Sequence, residues 1–520
     1  MKKIGNVIKA VVFLIVCFSC LGVVSNLLQY EHEMEPNLSM NEYYKLDKDS
    51  AQIIVLGSSH TTMGFSPVEC YKQTGITSFN LSTAKQPIEV SYFLLKEALK
   101  KQSPEVVIFE VSGLYYKESE INIAKYRYSM DSMTLSLNKI WMADSYARYN
   151  DDFDLFGIGE ALCPIYYYHD RWKELNEEEF DYVGSPVTYL KGQVIRSYIT
   201  DIEFDMEKFD KKLAKKVAKK PEAQPAIRDN NLNFFLKIKK LCDDNHIKLV
   251  LTSTPTNRWN TAKEKLVDDL AKKYNLDFVN MCKPNGEVID YSRDMADGNH
   301  VNASGTKKTT KYLYDFIMKK YGVKGKGKNS QFEESVKYYD KYYDNMLKYD
   351  METDFNKYLS LLNENKKDLK IFICGKGDVT AGLNSEDIKQ LQQLGCKTSL
   401  DKSKYENSYI AVIDGGNLVY EQVGQGALSY NYDLGNELFA GLYSNGNSEE
   451  GSAAVNIDNK KYAINSAGLN IVLYDKESGC VVDSVSFNTH DSQKKWWRSG
   501  ERSLELFMFK TYRNWVVENY

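Results

Sequence analysis

"IIVLGSSHTTMGFSP" occupies residues 53 to 67. Four apolar residues run into Gly57, then Ser58, Ser59 and His60, and leave through a segment holding Gly64 and Pro67. A short continuous apolar run stopped by glycine reads as a strand buried on both faces. The chain thus carries two hydroxyls and an imidazole to the end of a buried strand, a placement that calls for chemical partners elsewhere in the sequence.

Working outward, similar apolar runs recur at 78–82 (SFNLS), 105–111 (EVVIFEV), 247–255 (IKLVLTSTP) and 276–281 (LDFVNM). Amphipathic segments at 87–101, opened by Pro87, and at 230–244, 260–274 and 304–320 separate them. Buried strands alternating with helices predict an α/β domain with a doubly wound, flavodoxin-like parallel sheet, whose site lies at the carboxyl ends of the strands, where GSSH falls. The interval 115–229 breaks the alternation and is rich in Tyr and Asp. It reads either as an insertion forming a lid or substrate wall, or as a helical elaboration of the surface. Within it, His169, Arg171 and Trp172 stand together, and Arg171 with Trp172 suits a sugar or carboxylate.

A chain of 520 residues exceeds a single core. The composition divides it into an apolar amino-terminal segment (1–30), a catalytic domain (31–325), a helical linker (326–367) and a β-rich carboxyl-terminal domain (368–520). In the last, strands are expected at 370–375, 409–414, 417–423, 460–464, 469–475 and 480–488, with a helix at 385–395 and a hairpin turn at 475–479. The net charge is -4, and lysines are interspersed with Asp and Glu along the chain. No long-range field of either sign follows, which sets nucleic-acid binding aside.

Lys2, Lys3 and Lys9 precede 19 uncharged residues, Ala10 to Leu28, and Glu31, Glu33 and Glu35 follow. About 20 apolar residues cross a bilayer as a helix. The lysines place the amino terminus in the cytoplasm, making the rest an extracytoplasmic protein on a single-pass anchor in the cell membrane. A cleaved signal peptide is the rival reading, and Cys20 hints at lipid modification. Seven cysteines beyond the anchor stand singly without a CxxC pair, so they read as core residues rather than metal ligands or a disulfide framework. No metal and no cofactor is expected.

A hydroxyl needs a base to become a nucleophile, and the base needs a group to orient it. Of six histidines, His300 lies in "RDMADGNHVNASG", after the last strand and before a helix, with Asp297 three residues earlier. That spacing lets one turn set a carboxylate against the imidazole. Ser59, His300 and Asp297 are therefore the candidate catalytic set. Other roles are open to several of these residues: Ser59 as a helix cap, His60 as the base for Ser59 or as a substrate contact, and Asp294 as a cap of the turn.

VLGSSH near the start, FNLS after the second strand and DGNHVNASG at the end resemble the SGNH (GDSL-like) hydrolase superfamily. The resemblance implies Ser59 as nucleophile, Ser58 as the residue between glycine and serine, Asp297 as acid and His300 as base. It also implies an oxyanion hole built from the nucleophile's N–H, a glycine N–H and an asparagine side chain. No glycine stands at the second position and FEVSG (109–113) lacks the family's G-x-N-D, so Asn80 and the backbone of Ser82 are the candidates.

The outward-facing catalytic domain on one anchor resembles membrane-anchored SGNH-type proteins of envelope acylation, such as those of alginate acetylation and teichoic-acid D-alanylation. That resemblance implies a multi-spanning membrane-bound O-acyltransferase as partner. In the tail, Gly468, Asn470, Val472, Gly479, Asp483, Phe487 and Thr489 resemble the signature of the interleukin-like EMT inducer (PANDER-like) domain. The helix 385–395 resembles another part of it, in permuted order, and the likeness implies a module that binds glycan; a structural cap is the alternative. The expected function is a serine O-acyltransferase, an acetyltransferase above all, acting on a cell-surface polysaccharide. The alternatives are a carbohydrate esterase with the same triad and a non-catalytic glycan-binding scaffold.

Overall fold

The computed structural model describes residues 2–29, 34–117, 122–149, 158–159, 162, 164–173, 175, 187–397, 400, 408–446, 451–498 and 504–519. Cys163 and His32 lie outside them. The chain forms two compact units, one of residues 1–196 and 200–339, the other of 197–199 and 340–520.

The first unit is built on five parallel strands: Ile53–Leu56 (β1), Ser78–Asn80 (β2), Val106–Glu110 (β3), Lys248–Ser253 (β4) and Asp277–Asn280 (β5). Their order is β2-β1-β3-β4-β5, the flavodoxin-like order of a doubly wound sheet. Successive residues point to opposite faces, and both faces are covered. Ile54, Leu56, Val107, Phe109, Leu249 and Leu251 join one core with Phe93, Phe235 and Val267 of the helices Ile88–Ala98, Asp229–Asp244 and Thr261–Tyr274. Ile53, Val55, Val106, Ile108 and Val250 join the other with Leu313 and Ile317 of the helix Ala303–Tyr321. This double burial explains why β1, and β3 as far as Phe109, are apolar at every position rather than at alternate ones.

Helix boundaries follow local chemistry. Asn260 caps 261–274 by accepting from the Lys263 N–H at 3.0 Å, and Asn275 ends it in the left-handed region at φ 53°. Ser66 caps Pro67–Thr74 in the same way, with Pro67 in the first turn. The amino-terminal helix, Lys2–Gln29, contains an exposed apolar stretch from Ile8 to Ser25 with a mean hydropathy of 2.5, long enough to cross a membrane. Between β3 and β4 the described part of the insertion contains the helices Ile123–Met130, Leu137–Tyr149 and Met206–Lys219.

The second unit is β-rich. Its strands are Leu369–Lys376 (β6), Ser408–Asp414 (β7), Asn417–Gly424 (β8), Leu428–Gly435 (β9), Leu438–Asn445 (β10), Ser452–Ile457 (β11), Lys460–Lys461 (β12), Gly468–Asp475 (β13), Cys480–Phe487 (β14) and Trp496–Arg498 (β15). β6 pairs with β7 and β13, and β13 with β14. The sequence reading missed β9, β10 and β11, whose residues largely alternate between core and solvent and include small ones such as Ala440, Gly441 and Ala453. The strand expected at 460–464 stops at Lys461, because Tyr462 and Ala463 turn into the core.

Three of the signature-like residues of the tail make contacts within the second unit. Asp483 is buried and accepts from Tyr358 Oη at 2.7 Å and Arg498 Nε at 3.2 Å. Phe487 packs on the rings of Phe355 and Tyr358, and Asn470 Nδ2 donates to the Ser466 carbonyl at 2.8 Å. Cys70, Cys242, Cys282, Cys374 and Cys396 are buried, and burial pushes each thiol up to about 12.

Candidate active site

Gly57 ends β1 directly across from Glu110 at the end of β3. A Cβ at Gly57 would overlap Thr61 Oγ1 and lie 2.6 Å from Glu110 Cβ, so only glycine lets the chain turn here. It turns into one short helical stretch, Ser59–Thr62. The cap of that stretch is Ser58, not Ser59: Ser58 Oγ accepts from the His60 N–H at 3.3 Å and donates to Glu110 Oε2 at 2.9 Å. Ser59 is left free to face outward, and His60, one helical position on, shares its cleft.

Ser59 Oγ lies 2.9 Å from His300 Nε2. On the far side of the ring, His300 Nδ1 is 2.9 Å from Asp297 Oδ2 and 3.1 Å from Oδ1. Asp297 Oδ1 also accepts from the N–H groups of Asn299 at 2.6 Å and His300 at 3.0 Å, which fixes the carboxylate within its own turn. The loop beneath is pinned by buried Asp294, which accepts from the Asp290 N–H and from Ser304 Oγ and pairs with Lys308. Asn302 caps the following helix, and Gly305 is required there because a Cβ would overlap the Asp294 carbonyl.

Serine and histidine, 241 positions apart, meet because that helix is fastened to the segment after Ser59. Thr306 Oγ1 donates to the Met63 carbonyl and Thr309 Oγ1 to the Gly64 carbonyl at 2.7 Å, while Thr310 Oγ1 accepts from the Ser66 N–H at 2.9 Å. These three threonines position the triad-like set, and sequence reasoning passed over them. Threonines on an amphipathic helix usually need no such explanation, so the sequence held little signal for them.

A second polar chain lies alongside. Glu110 is 1% exposed. Burial alone would raise its pKa, but bonds from His60, Ser112 and Ser58 outweigh that and hold it below the ordinary value. As an ionised acceptor it accepts a hydrogen bond from Ser112 Oγ at 2.6 Å. Ser112 Oγ therefore accepts from His60 Nδ1 at 3.2 Å, so Nδ1 is spent in this chain and Nε2 is not. The rings of His60 and His300 meet edge to face, 5.4 Å between centroids. Glu110 and Ser112 went unrecognised in FEVSG because an acid at the end of a buried strand acquires meaning only when β1 lies beside it.

Burial pulls the pKa of His300 below its usual value. The Asp297 carboxylate opposes that shift, while His60 and Arg196 reinforce it. At Asp297, burial pushes upward, yet the bonds from His300 and Asn299 win and its pKa falls. A neutral imidazole beside an ionised carboxylate is the state a general base requires.

The structure does not bring the expected oxyanion residues to this place. Asn80 Nδ2 donates to the Thr61 carbonyl at 2.8 Å, supporting the Ser59–Thr62 turn from below. Asn80 and Ser82 are both buried and line no part of the cleft. Arg171 is likewise absent from it: it is buried, and its Nη1 donates to the Leu28 carbonyl at the end of the amino-terminal helix. The cleft itself encloses about 470 Å³ and is walled by Tyr115 and Tyr116 after β3, by Leu213 and 223–226 of the insertion, and by Thr256 and Asn260 after β4.

No family model matches the chain, and no curated protein matches it. Among solved structures, a crystal structure of a "putative acylhydrolase" from Bacteroides fragilis is 13% identical and covers 56% of this chain and 97% of that one, with a TM-score of 0.25. A likeness at that level adds nothing to the assignment of the site, which stands on its own geometry.

Proposed function

We propose that the protein is an extracytoplasmic serine acyltransferase of SGNH type, held to the membrane by its amino-terminal helix and acting on O-acyl groups of a surface glycan. The observation that carries the reading is the linear set Ser59 Oγ, His300 Nε2, His300 Nδ1, Asp297 Oδ2, with 2.9 Å at each hydrogen bond.

In this reading Ser59 Oγ attacks the carbonyl carbon of an ester while His300 Nε2 takes the hydroxyl proton and Asp297 stabilises the resulting imidazolium. The tetrahedral intermediate expels the alcohol, which leaves with that proton, and the acyl group stays on Ser59. An incoming hydroxyl then gives its proton to His300, attacks the acyl carbon and departs as the new ester, restoring Ser59. His60 Nε2, beside the base and facing the same cleft, is suited to accept from the incoming hydroxyl. Hydrolysis is the second reading, and the exposure of Asp297, 57% of its side chain, favours it because water reaches the rim of the site.

The one candidate span among the described residues carries no activated acyl donor across a bilayer, so the transfer reading includes a multi-spanning O-acyltransferase as donor. The second unit serves as a glycan-docking module in this reading, supported by the Tyr420 and Tyr430 rings stacked at 3.9 Å and by exposed Phe439 and Val419. The test is incubation of the full chain in neutral detergent with p-nitrophenyl acetate, with and without oligosaccharide. Acetylated sugar supports transfer, free acetate alone supports hydrolysis, and turnover equal to that of Ser59→Ala refutes both.

A further inference from the structure

Six cations line the cleft beside Ser59: Lys85, Lys117, Lys216, Arg228, Arg258 and Lys263. No Asp or Glu is among the described residues lining it. The chain as a whole has a net charge of -4, so chance placement would bring acids here as readily as bases. Among the described residues, no carboxylate pairs with Lys85, Lys216, Arg228 or Arg258, and all four are exposed. They come from four separate segments: the loop after β2, the helix Met206–Lys219, the end of the insertion, and the loop after β4. Their common feature is the cavity they face. The buried Glu110 is committed to Ser58 and Ser112, and Asp297 to the His300 ring, so neither neutralises this wall.

We infer that this cleft binds an anionic substrate segment, carboxylate or phosphodiester groups carried next to the ester that Ser59 attacks. The inference rests on the acyl-transfer reading of the site and names its substrate class. Unpaired cations around a concave wall concentrate their field on whatever enters, raising the local concentration of an anionic chain and orienting it before chemistry. A neutral glycan would leave Lys85, Lys216, Arg228 and Arg258 facing the cleft without a carboxylate partner.

The test measures binding, so it does not depend on turnover. Full-length Ser59→Ala chain in neutral detergent is titrated, by fluorescence anisotropy, into labelled oligogalacturonate, labelled poly(glycerol phosphate) oligomer and labelled neutral xylo-oligosaccharide. Tighter binding of either anionic oligomer than of the neutral one is expected, weakening at high salt, and the two anionic arms distinguish carboxylate from phosphodiester. Adding Lys216→Gln, Arg228→Gln and Arg258→Gln is expected to weaken anionic binding roughly tenfold or more. Adding Lys240→Gln, Lys311→Gln and Lys319→Gln instead, an equal charge change on residues that do not line the cleft, is expected to leave it within about threefold. Equal binding of neutral and anionic oligomers, or equal losses in the two triple variants, overturns the inference. Inactivity of wild-type chain toward esters overturns the acyl-transfer reading while leaving the binding result legible.

Discussion

Replacing Asp297 by Asn tests the site most sharply, because the change is nearly isosteric and its effect is set by one proton. Asp297 Oδ1 holds the N–H groups of Asn299 and His300, while Oδ2 faces His300 Nδ1. In the variant the amide oxygen keeps the two backbone donors, since turning it over would set NH2 against two N–H groups. The NH2 then points at Nδ1, which must become the acceptor, and the ring proton moves to Nε2. The base now presents a donor to Ser59 Oγ and cannot take its proton. Where the orienting acid is deeply buried, this change costs about 10⁴-fold in kcat. Here the carboxylate is 57% exposed and water competes for the freed groups, so the expected loss is about 10²- to 10³-fold, roughly 3–4 kcal/mol of transition-state stabilisation. The assay is kcat/KM for p-nitrophenyl acetate with the full chain in neutral detergent, beside thermal unfolding to show an unchanged fold. A rate within threefold of wild type, with Ser59→Ala inactive, would refute the orienting role of Asp297.

Ser59→Ala and His300→Ala should each abolish turnover above the uncatalysed rate without lowering Tm, since neither side chain fills a core; normal turnover in His300→Ala removes the base assignment. Because the His300 pKa lies below its ordinary 6.5, activity should persist at neutral pH and fall as pH drops through a value under 6.5. His60→Gln removes the ring that helps to lower the His300 pKa and should move that acid limb upward, and a limb that stays in place argues against the coupling of the two rings. The sign for stability agrees: His300 favours its neutral form when folded, so its contribution is present above the unfolded pKa and lost as pH falls through the folded one. Gly57→Ala should destabilise the first unit by about 1–3 kcal/mol through overlap with Thr61 and Glu110, read as a lowered Tm, and an unchanged Tm would contradict the close approach of β1 and β3.

What the sequence by itself determined was whatever repeats locally. Ile53–Leu56 and Val106–Phe109 are apolar at every position because both faces of their sheet are buried, so the parallel, doubly wound architecture was legible before any coordinate. The tail was harder, since its strands β9 to β11 alternate with solvent-facing residues and carry small side chains that leave a faint pattern. Ser59, His300 and Asp297 were legible because two short motifs frame the sheet at its ends.

Only the tertiary structure decided which polar groups are spent on support and which face the cleft. Asn80 and Arg171 have the right chemistry for substrate, yet one amide is bound to the Thr61 carbonyl and one guanidinium to the Leu28 carbonyl. Glu110, Ser112 and the threonines of the last helix in the sheet domain, silent in sequence, align His60 and bring Ser59 to His300. The cations make the same point most plainly. Along the chain, lysines and acids are mixed and imply no field, but folding gathers Lys85, Lys216, Arg228 and Arg258 around one cavity. Electrostatic energy depends on distance in space, and spacing along a polymer fixes that distance only within a single turn or strand.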